Sequence, residues 1–307
     1  MLKRKDLLGL RDVSREEILQ ILGTAVEMKE MLKNDVKKTQ HLVGKNVVTL
    51  FYENSTRTRV SFETAAKIMS ANCTSVSAAV SSVQKGETLI DTGLNLDALL
   101  TDIIILRHNM SGAPVLLARN VKASVINAGD GMNEHPTQAL LDIFTMREEF
   151  GDELRGLKVV IAGDVKHSRV ARSNIWGLSK LGAHVTVVSP RTLLPMEIEK
   201  MGVQVCDDID EAVVGANVVM GLRVQLERQK SKLLPSVSEY MKFYGITDER
   251  MAKADSGAIL MHPGPLNRNV EVSSVAADGD SSRILKQVTN GVAVRMAIMH
   301  LLTGERK

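Results

Sequence analysis

Short apolar runs alternate with amphipathic stretches along most of the chain. Residues 46–52 form the first such run and predict a strand, and the helical spacing of apolar residues over 60–69 predicts a helix after it. Further strands, with helices between them, are predicted at residues 101–107, 124–129, 157–164, 184–190, 203–207, 217–223 and 258–263. Near-continuous apolar strands separated by helices are typical of parallel sheets that helices cover on both faces. The chain is therefore predicted to be an α/β protein with doubly wound parallel sheets.

The alternation restarts halfway along the chain, which indicates two domains of similar size. We expect the first over residues 1–150 and the second over residues 151–283. A long amphipathic helix follows from residue 284, and its pattern would fit packing on either domain. Ligands bind outside the carboxyl ends of the strands in open parallel sheets, so we expect the active site in the cleft between the two domains. The polar stretches 74–92 and 224–240 are predicted to be long loops that serve this site.

Composition excludes several classes of protein. With 307 residues, 44% hydrophobic and 24% charged, the chain has the make-up of a globular protein. A net charge of +3 is too small to indicate a nucleic-acid partner, and no stretch approaches the roughly 20 apolar residues of a membrane span. The first residues lack the apolar segment of a signal peptide, and the distant Cys73 and Cys206 fit neither a disulfide framework nor a metal site. We expect a cytoplasmic protein that contacts neither membrane nor nucleic acid.

The most informative stretch lies between the first predicted strand and its helix. Three hydroxyls and two arginines stand there in a row: Ser55, Thr56, Arg57, Thr58 and Arg59. Backbone N–H groups and the positive end of the helix dipole favour an anion at such a helix start, and Arg57 adds a bidentate donor. The alternative is an ordinary capped helix with two solvated arginines. Two arginines on either side of a hydroxyl favour a phosphate site.

Other polar residues stand where predicted strands end or helices begin. Arg107 closes one strand, and His135 and Gln138 surround Pro136 at the start of a helix, where His135 could equally be a simple cap. Lys85 lies in a polar loop and carries no weight alone. In the second half the corresponding residues are Arg169 after His167 and Ser168, Arg223 with Gln225, and the turn from His262 to Pro265. His262 is expected to be structural, whereas the Pro-Gly-Pro segment offers backbone carbonyls without competing N–H groups.

This inventory contains arginines but no nucleophile beside a base and no cluster of metal ligands. It predicts catalysis by positioning and charge stabilisation between two anionic small molecules, without metal or cofactor. A dinucleotide-dependent oxidoreductase would share the α/β pattern, but the sequence lacks the glycine fingerprint of such enzymes. A non-catalytic anion-binding module is the other alternative.

Taken in order, these motifs resemble those of the carbamoyltransferase family over nearly the whole chain. The residues that carry the resemblance are Ser55 to Arg59 with Phe62 and Glu63, Lys85 to Thr88, Arg107 with His108, His135 to Gln138, and His262 with Pro263. Lys85 to Thr88, Arg169 and Arg223 with Gln225 are similar to the members that use aspartate. Ornithine-using members usually carry a Ser-Met-Gly loop and a His-Cys-Leu-Pro turn, which do not occur here. Gly264 departs from the leucine or alanine of other members, and we expect little consequence because the contact is through backbone. An ornithine or other amino-acid acceptor is the alternative.

The resemblance implies a role for each matching residue in transfer of the carbamoyl group from carbamoyl phosphate to L-aspartate, a step of pyrimidine biosynthesis. Arg57, Thr58, Arg107 and His135 would be catalytic. The phosphate would be held by Ser55, Thr56, Arg57 and Thr58. The carbonyl oxygen would be held by Thr58, Arg107 and His135, and the NH2 group by Gln138 and the carbonyls of Pro263, Gly264 and Pro265. Aspartate would be held by Lys85, Arg169, Arg223 and Gln225.

The resemblance also implies an assembly. It predicts a homotrimer with shared active sites, in which Ser81 and Lys85 reach into a neighbouring subunit. It further implies that the final helix, about 284–307, returns to the first domain. A separate regulatory or dihydroorotase subunit could accompany the trimer.

Overall fold

A computed structural model describes residues 2–77, 86–224 and 236–304 of the chain. The chain divides into two compact units. Unit 1 comprises Met1–Phe144 and Val288–Lys307, and unit 2 comprises Thr145–Gln287. Each unit is built on its own parallel sheet.

The sheet of unit 1 has four parallel strands in the order β2-β1-β3-β4. The strands are β1 (Asn46–Phe51), β2 (Asn72–Ser77), β3 (Ile103–His108) and β4 (Ser124–Asp130). The helices that follow the N-terminal segment are α1 (Arg15–Lys33), α2 (Thr56–Ile68), α3 (Leu89–Ala98), α4 (Ala113–Ala118) and α5 (Pro136–Phe150). Strands β1, β3 and β4 are almost wholly buried. Strands β1 and β3 lie inside the sheet, and β4 is covered on its outer side by Leu7 of the N-terminal segment, which hydrogen-bonds to Val125 and Asn127.

Two elements of unit 1 differ from the sequence prediction of a loop over 74–92. Strand β2 extends into that stretch, and helix α3 begins at its end, where the Thr88 hydroxyl accepts a hydrogen bond from Asp91 N at 3.1 Å. The loop prediction is therefore wrong at both ends. Strand β2 lies at the edge of the sheet, where one face and one edge meet solvent, so its polar sequence lacks the apolar signature of the central strands.

The sheet of unit 2 has five parallel strands in the order β7-β6-β5-β8-β9. They are β5 (Lys158–Gly163), β6 (His184–Val188), β7 (Gln204–Cys206), β8 (Val218–Leu222) and β9 (Ile259–Met261). The helices are α6 (Arg169–Lys180), α7 (Ile209–Ala212), α8 (Val237–Tyr244), α9 (Asp248–Met251), α10 (Ser274–Asp278) and the start of α11 (Ile284–Thr303). At the end of β5, a Cβ on Gly163 would lie 2.4 Å from the carbonyl oxygen of Leu222, and its φ is +137°. Only glycine permits this close approach of β5 and β8.

Helix α11 begins in unit 2 and belongs to unit 1 from Val288 onward. Lys29 Nζ on α1 donates to Asn290 Oδ1 at 2.6 Å, and Arg295 Nη1 donates to Ser61 Oγ at 2.9 Å. The Arg295 guanidinium lies 4.9 Å from the centre of the Phe62 ring, and burial lowers its pKa to about 10. The prediction that the final helix returns to the first domain is thus confirmed, together with the fold class of two parallel-sheet α/β units.

No helix among the described residues is long and apolar enough to cross a membrane. Within the same ranges, no three His, Cys, Asp or Glu side chains come together as a metal site would require.

The acid stability of unit 2 should depend on Asp210. Its carboxylate accepts hydrogen bonds from Arg250 Nη2 at 2.8 Å and Lys253 Nζ at 2.7 Å, and the Arg250 contact is the larger cause that lowers its pKa from 3.8 to about 2. A lowered pKa adds stability above pH 4 that is lost as the pH falls towards 2. Because the side chain is 38% exposed, we expect Asp210→Asn to cost no more than about 1 kcal/mol at pH 7.

Thermal unfolding of wild type and Asp210→Asn between pH 7 and pH 2.5 would measure this contribution. The difference between the two melting temperatures should be constant down to about pH 4 and then narrow. A difference that stayed constant across the whole range would show that the Asp210 contacts do not act through its charge.

Candidate functional site

The start of helix α2 in unit 1 is arranged to receive an anion. Ser55 is the N-cap, yet its hydroxyl makes no capping hydrogen bond, and the first turn contains no acidic residue. Thr56 and Arg57 are exposed, whereas Thr58 is buried. Helix α1, in contrast, has a Ser14 cap and two acidic residues in its first turn. The N–H groups and dipole of α2 are therefore not neutralised by acidic residues of its own first turn.

Arg107 stands at the carboxyl end of β3, directly beside the end of β1, where Phe51 is its register partner. Its Nη1 donates to the carbonyl oxygen of Ala128 at 3.0 Å, and its Nε lies 3.4 Å from Glu53 Oε2. These contacts hold the guanidinium against the ends of β1 and β4. Since the strands are parallel, the α2 loop after β1 and Arg107 on β3 lie at the same edge of the sheet.

His135 and Gln138 begin α5, just after β4 reaches that edge. The carbonyl oxygen of His135 accepts hydrogen bonds from Gln138 N at 3.1 Å and Ala139 N at 3.2 Å, so His135 does cap the helix through its backbone. Gln138 Nε2 donates to Asp142 Oδ1 at 2.8 Å, one turn further along. This contact orients the amide so that its oxygen, an acceptor, is directed away from Asp142.

The loop before His135 is held by buried polar residues that the sequence analysis did not identify. Asp130 Oδ1 accepts from Asn127 Nδ2 at 2.8 Å and Glu134 N at 3.0 Å. Glu134 in turn accepts from the backbone N–H of Leu10 at 2.6 Å and of Arg11 at 3.2 Å. The N-terminal segment thus fastens the residue next to His135. Because its partners stand more than 120 positions away, nothing in the local sequence indicates that Glu134 is buried.

His108, which follows Arg107, has a different environment. Its ring centre lies 4.5 Å from that of Tyr52, and its Nδ1 accepts a hydrogen bond from Met110 N at 3.0 Å. Burial lowers the pKa of His108, which favours the neutral ring. Its contacts are those of a packed residue behind the edge of the sheet.

In unit 2 the polar residues also follow the carboxyl ends of adjacent strands. Arg169 is the first residue of α6, after β5, and is 6% exposed; Ser168 caps that helix by accepting from Ala171 N at 3.1 Å. The neighbouring His167 places Nδ1 2.8 Å from Oδ1 of the buried Asp164. Arg223 directly follows β8, the neighbour of β5 in the sheet. Both arginines therefore stand at one edge.

The turn after β9 lies beside the end of β8 in the same sheet. His262 is 1% exposed, and its Nδ1 accepts a hydrogen bond from Gly264 N at 2.8 Å. Gly264 has a φ of +67°, a backbone conformation that favours glycine. Asn267 Nδ2 donates to the carbonyl oxygen of Val224 at 3.4 Å and so connects this turn to the segment after Arg223.

The predicted residues thus form two groups, each at the carboxyl edge of one sheet. The unit 1 group is Ser55, Thr56, Arg57, Thr58, Arg107, His135 and Gln138; the unit 2 group is Arg169, Arg223, Pro263, Gly264 and Pro265. Ser81, Lys85 and Gln225 lie outside the described residues. The location of the active site between the domains stays a prediction.

Comparison with known proteins shows the family to which the chain belongs. The model of the aspartate/ornithine carbamoyltransferase carbamoyl-P binding domain matches residues 5–148, and that of the Asp/Orn binding domain matches residues 155–302. The chain belongs to the aspartate/ornithine carbamoyltransferase family.

The chain is similar to individual members of this family. The chain is 63% identical over 302 residues to the aspartate carbamoyltransferase catalytic subunit of Ruminiclostridium cellulolyticum, covering 98% of this chain and 96% of the relative. It is 61% identical to that of Acetivibrio thermocellus, covering 99% and 97%. Among solved structures, aspartate transcarbamoylase from Trypanosoma cruzi in complex with N-(phosphonacetyl)-L-aspartic acid matches with a TM-score of 0.88 at 30% identity, covering 97% and 96%. Ornithine carbamoyltransferase from Pyrococcus furiosus matches with a TM-score of 0.87 at 30% identity, covering 98% of each chain.

Proposed function

We propose that the protein transfers the carbamoyl group of carbamoyl phosphate to the amine of L-aspartate, giving N-carbamoyl-L-aspartate and phosphate for pyrimidine biosynthesis. The observation that carries this proposal is that Arg169 and Arg223 follow the carboxyl ends of adjacent strands in unit 2. Two guanidinium groups suit the two carboxylates of aspartate, whereas ornithine would bring a second cation against them. The names of the relatives at 63% and 61% identity support the same acceptor.

The start of α2 would hold the phosphate. The Ser55 hydroxyl, which makes no capping hydrogen bond, and the exposed Thr56 and Arg57 supply donors at the start of the helix. Arg57 would contact the phosphate both in the bound substrate and as the leaving group departs. Its fork can donate two parallel hydrogen bonds to the phosphate oxygens.

Arg107, His135 and Thr58 would surround the carbonyl oxygen, on which negative charge grows when the amine attacks. Such charge is stabilised best by donors that are already fixed before the reaction. Arg107 is fixed by Ala128 and Glu53, and His135 by the buried network that holds its loop. The buried Thr58 adds a hydroxyl at the same edge.

The NH2 group of the substrate would be recognised by acceptors alone. The amide oxygen of Gln138 is available because the amide nitrogen is bound to Asp142. The carbonyls of Pro263, Gly264 and Pro265 are the remaining acceptors. For aspartate, Lys85 and Gln225 join Arg169 and Arg223 on the basis of the sequence motifs.

The reaction needs no covalent bond between substrate and enzyme. The neutral amine of aspartate attacks the carbonyl carbon, a C–N bond forms, and the tetrahedral intermediate breaks its C–O bond to phosphate. The departing phosphate takes the proton that the amine must lose and leaves as HPO4²⁻. Positioning and charge stabilisation supply the rate in this scheme.

A comparison of acceptors tests the proposal. With saturating carbamoyl phosphate, we expect kcat/KM for L-aspartate to exceed that for L-ornithine by at least about 100-fold, because a site built for a carboxylate leaves an ammonium group uncompensated. Phosphate release measures both reactions. Preference for ornithine would overturn the aspartate assignment, and absence of turnover with tight NAD binding by calorimetry would favour an oxidoreductase instead.

The division of roles between the two groups predicts different kinetics for two arginine variants. Arg57→Ala should lower kcat by about 10³-fold, because it removes charge stabilisation in the transition state. Arg223→Ala should raise the KM for aspartate by about 10-fold or more, with a smaller change in kcat. Steady-state kinetics with each substrate varied in turn would separate the two effects.

Matched controls are available in each unit. Arg119→Ala removes an exposed arginine at the C-cap of α4, and Arg191→Ala removes one that is bound to Asp207 at 2.7 Å and 86% exposed. Both should leave the kinetics within about 2-fold of wild type. If aspartate saturation of Arg223→Ala matched that of wild type, its proposed role would be wrong.

We also propose that the enzyme is a cytoplasmic homotrimer in which Ser81 and Lys85 complete the site of a neighbouring subunit. The family resemblance supports the trimer, and the free thiols of Cys73 and Cys206 fit a reducing compartment. Arg57→Ala and Lys85→Ala subunits, each inactive alone, should regain part of the activity when dissociated, mixed and reassembled, because some sites then combine two intact halves. Mixing without any recovery would contradict shared sites.

A further inference from the structure

The turn after β9 in unit 2 is organised around two buried side chains, His262 and Glu271. Each is 1% exposed. The backbone N–H of His262 donates to Gln287 Oε1 at 2.9 Å, which anchors the residue at the end of the strand. Glu271 lies one residue before Val272, a fully buried member of the unit 2 core. Both residues are thus fixed to the interior, on either side of the turn.

Hydrogen bonding assigns the proton of the His262 ring. Gly264 N donates to Nδ1 at 2.8 Å, so Nδ1 presents its lone pair and the neutral ring carries its proton on Nε2. Nε2 lies 3.4 Å from Glu271 Oε1. This separation is an electrostatic contact rather than a short hydrogen bond. The carboxylate therefore favours the tautomer that accepts from Gly264.

Glu271 fixes the far end of the same turn. Its Oε1 accepts from Asn267 N at 2.6 Å, and its own carbonyl accepts from Ile246 N at 2.9 Å. The backbone of residues 263–266 is consequently held at Gly264 through His262 and at Asn267 through Glu271. Pro263 and Pro265 lack a backbone N–H and so cannot donate a hydrogen bond that would hold the turn in place.

The three carbonyl oxygens of Pro263, Gly264 and Pro265 accept no hydrogen bond from the residues that the structure describes. Their directions are set by the two contacts that close the turn. A displacement of about 1 Å would carry a carbonyl outside the range of a good hydrogen bond to a substrate N–H.

We propose that His262 and Glu271 are positioning residues that set the selectivity for a substrate bearing N–H donors beside its reactive carbonyl. This inference rests on the proposed function, in which these carbonyls accept from the NH2 group of carbamoyl phosphate. A site built to hydrogen-bond an NH group rejects the analogue that lacks it, because the acceptors are then left without donors. The pair affects selectivity by fixing the directions of the three carbonyls and does not touch the substrate.

Acetyl phosphate is the probe, since it replaces NH2 by CH3 and keeps the carbonyl and phosphate. In wild type we expect carbamoyl phosphate to be preferred by about 100-fold or more in kcat/KM with aspartate as acceptor. Glu271→Gln removes the charge behind His262. His262→Asn can keep an acceptor for Gly264 N but loses the contact with Glu271. Each should lower the preference by about 10-fold, because kcat/KM falls for carbamoyl phosphate and changes less than about 3-fold for acetyl phosphate.

Calorimetric dissociation constants of the two phosphates, measured without aspartate, give a second readout that does not need turnover. Glu149→Gln is the matched control, since it makes the same chemical change in unit 2 at a carboxylate bound to Arg283 at 2.9 Å and Lys286 at 2.6 Å. It should lower the melting temperature without altering the preference between the two phosphates.

The outcomes separate this inference from the proposed function. Wild-type turnover tests the function, whereas the change in preference between wild type and variants tests the pair. Equal losses for both phosphates in folded variants would indicate a purely structural role and overturn the inference. So would an unchanged preference, or failure of both variants to fold.

Discussion

Parallel strand pairing is the constraint on which both groups of candidate residues depend. Because every strand in a parallel sheet ends at the same edge, residues far apart in sequence are delivered to one place without any direct contact between their segments. In unit 1 this edge collects the start of α2, Arg107 and His135 from β1, β3 and β4. In unit 2 it collects Arg169, Arg223 and the turn at His262 from β5, β8 and β9. The pairing of the apolar strands thus determines where the charged groups stand.

Position at the edge of a sheet does not orient a side chain. Buried carboxylates provide the contacts that do. Asp142 binds the amide nitrogen of Gln138, Asp164 binds Nδ1 of His167, and Glu271 faces Nε2 of His262. In each case a carboxylate behind a polar group decides which atom of that group faces outward. A buried carboxylate is costly unless it accepts hydrogen bonds, and these acids accept them from Gln138, His167 and, for Glu271, the backbone of Asn267. Stability and orientation therefore come from the same contacts.

Much of this arrangement could be predicted from the sequence, and the reason for each failure is physical. Strands β1, β3, β5, β6 and β8 lie inside their sheets and carry apolar runs, so they were predictable, as was α5 with Pro136 in its first turn. Strand β2 was not, because an edge strand needs no apolar sequence on its open side. The residues from Ser55 to Arg59 stand together in sequence and are visible as a motif. Glu134 and Glu271 are ordinary acidic residues until the fold brings Leu10 and His262 to them.

Motif residues and buried carboxylates are expected to affect substrate selectivity differently. The residues visible as motifs supply charge, and we expect their replacement to reduce both binding and rate. The buried carboxylates supply direction, and their replacement alters which atoms are presented while the charge at the edge is preserved. Discrimination between NH2 and CH3 depends on direction more than on charge, since both donors carry the same phosphate. Selectivity for the carbamoyl group is therefore expected to respond to residues such as Glu271, whereas affinity for the phosphate responds to Arg57.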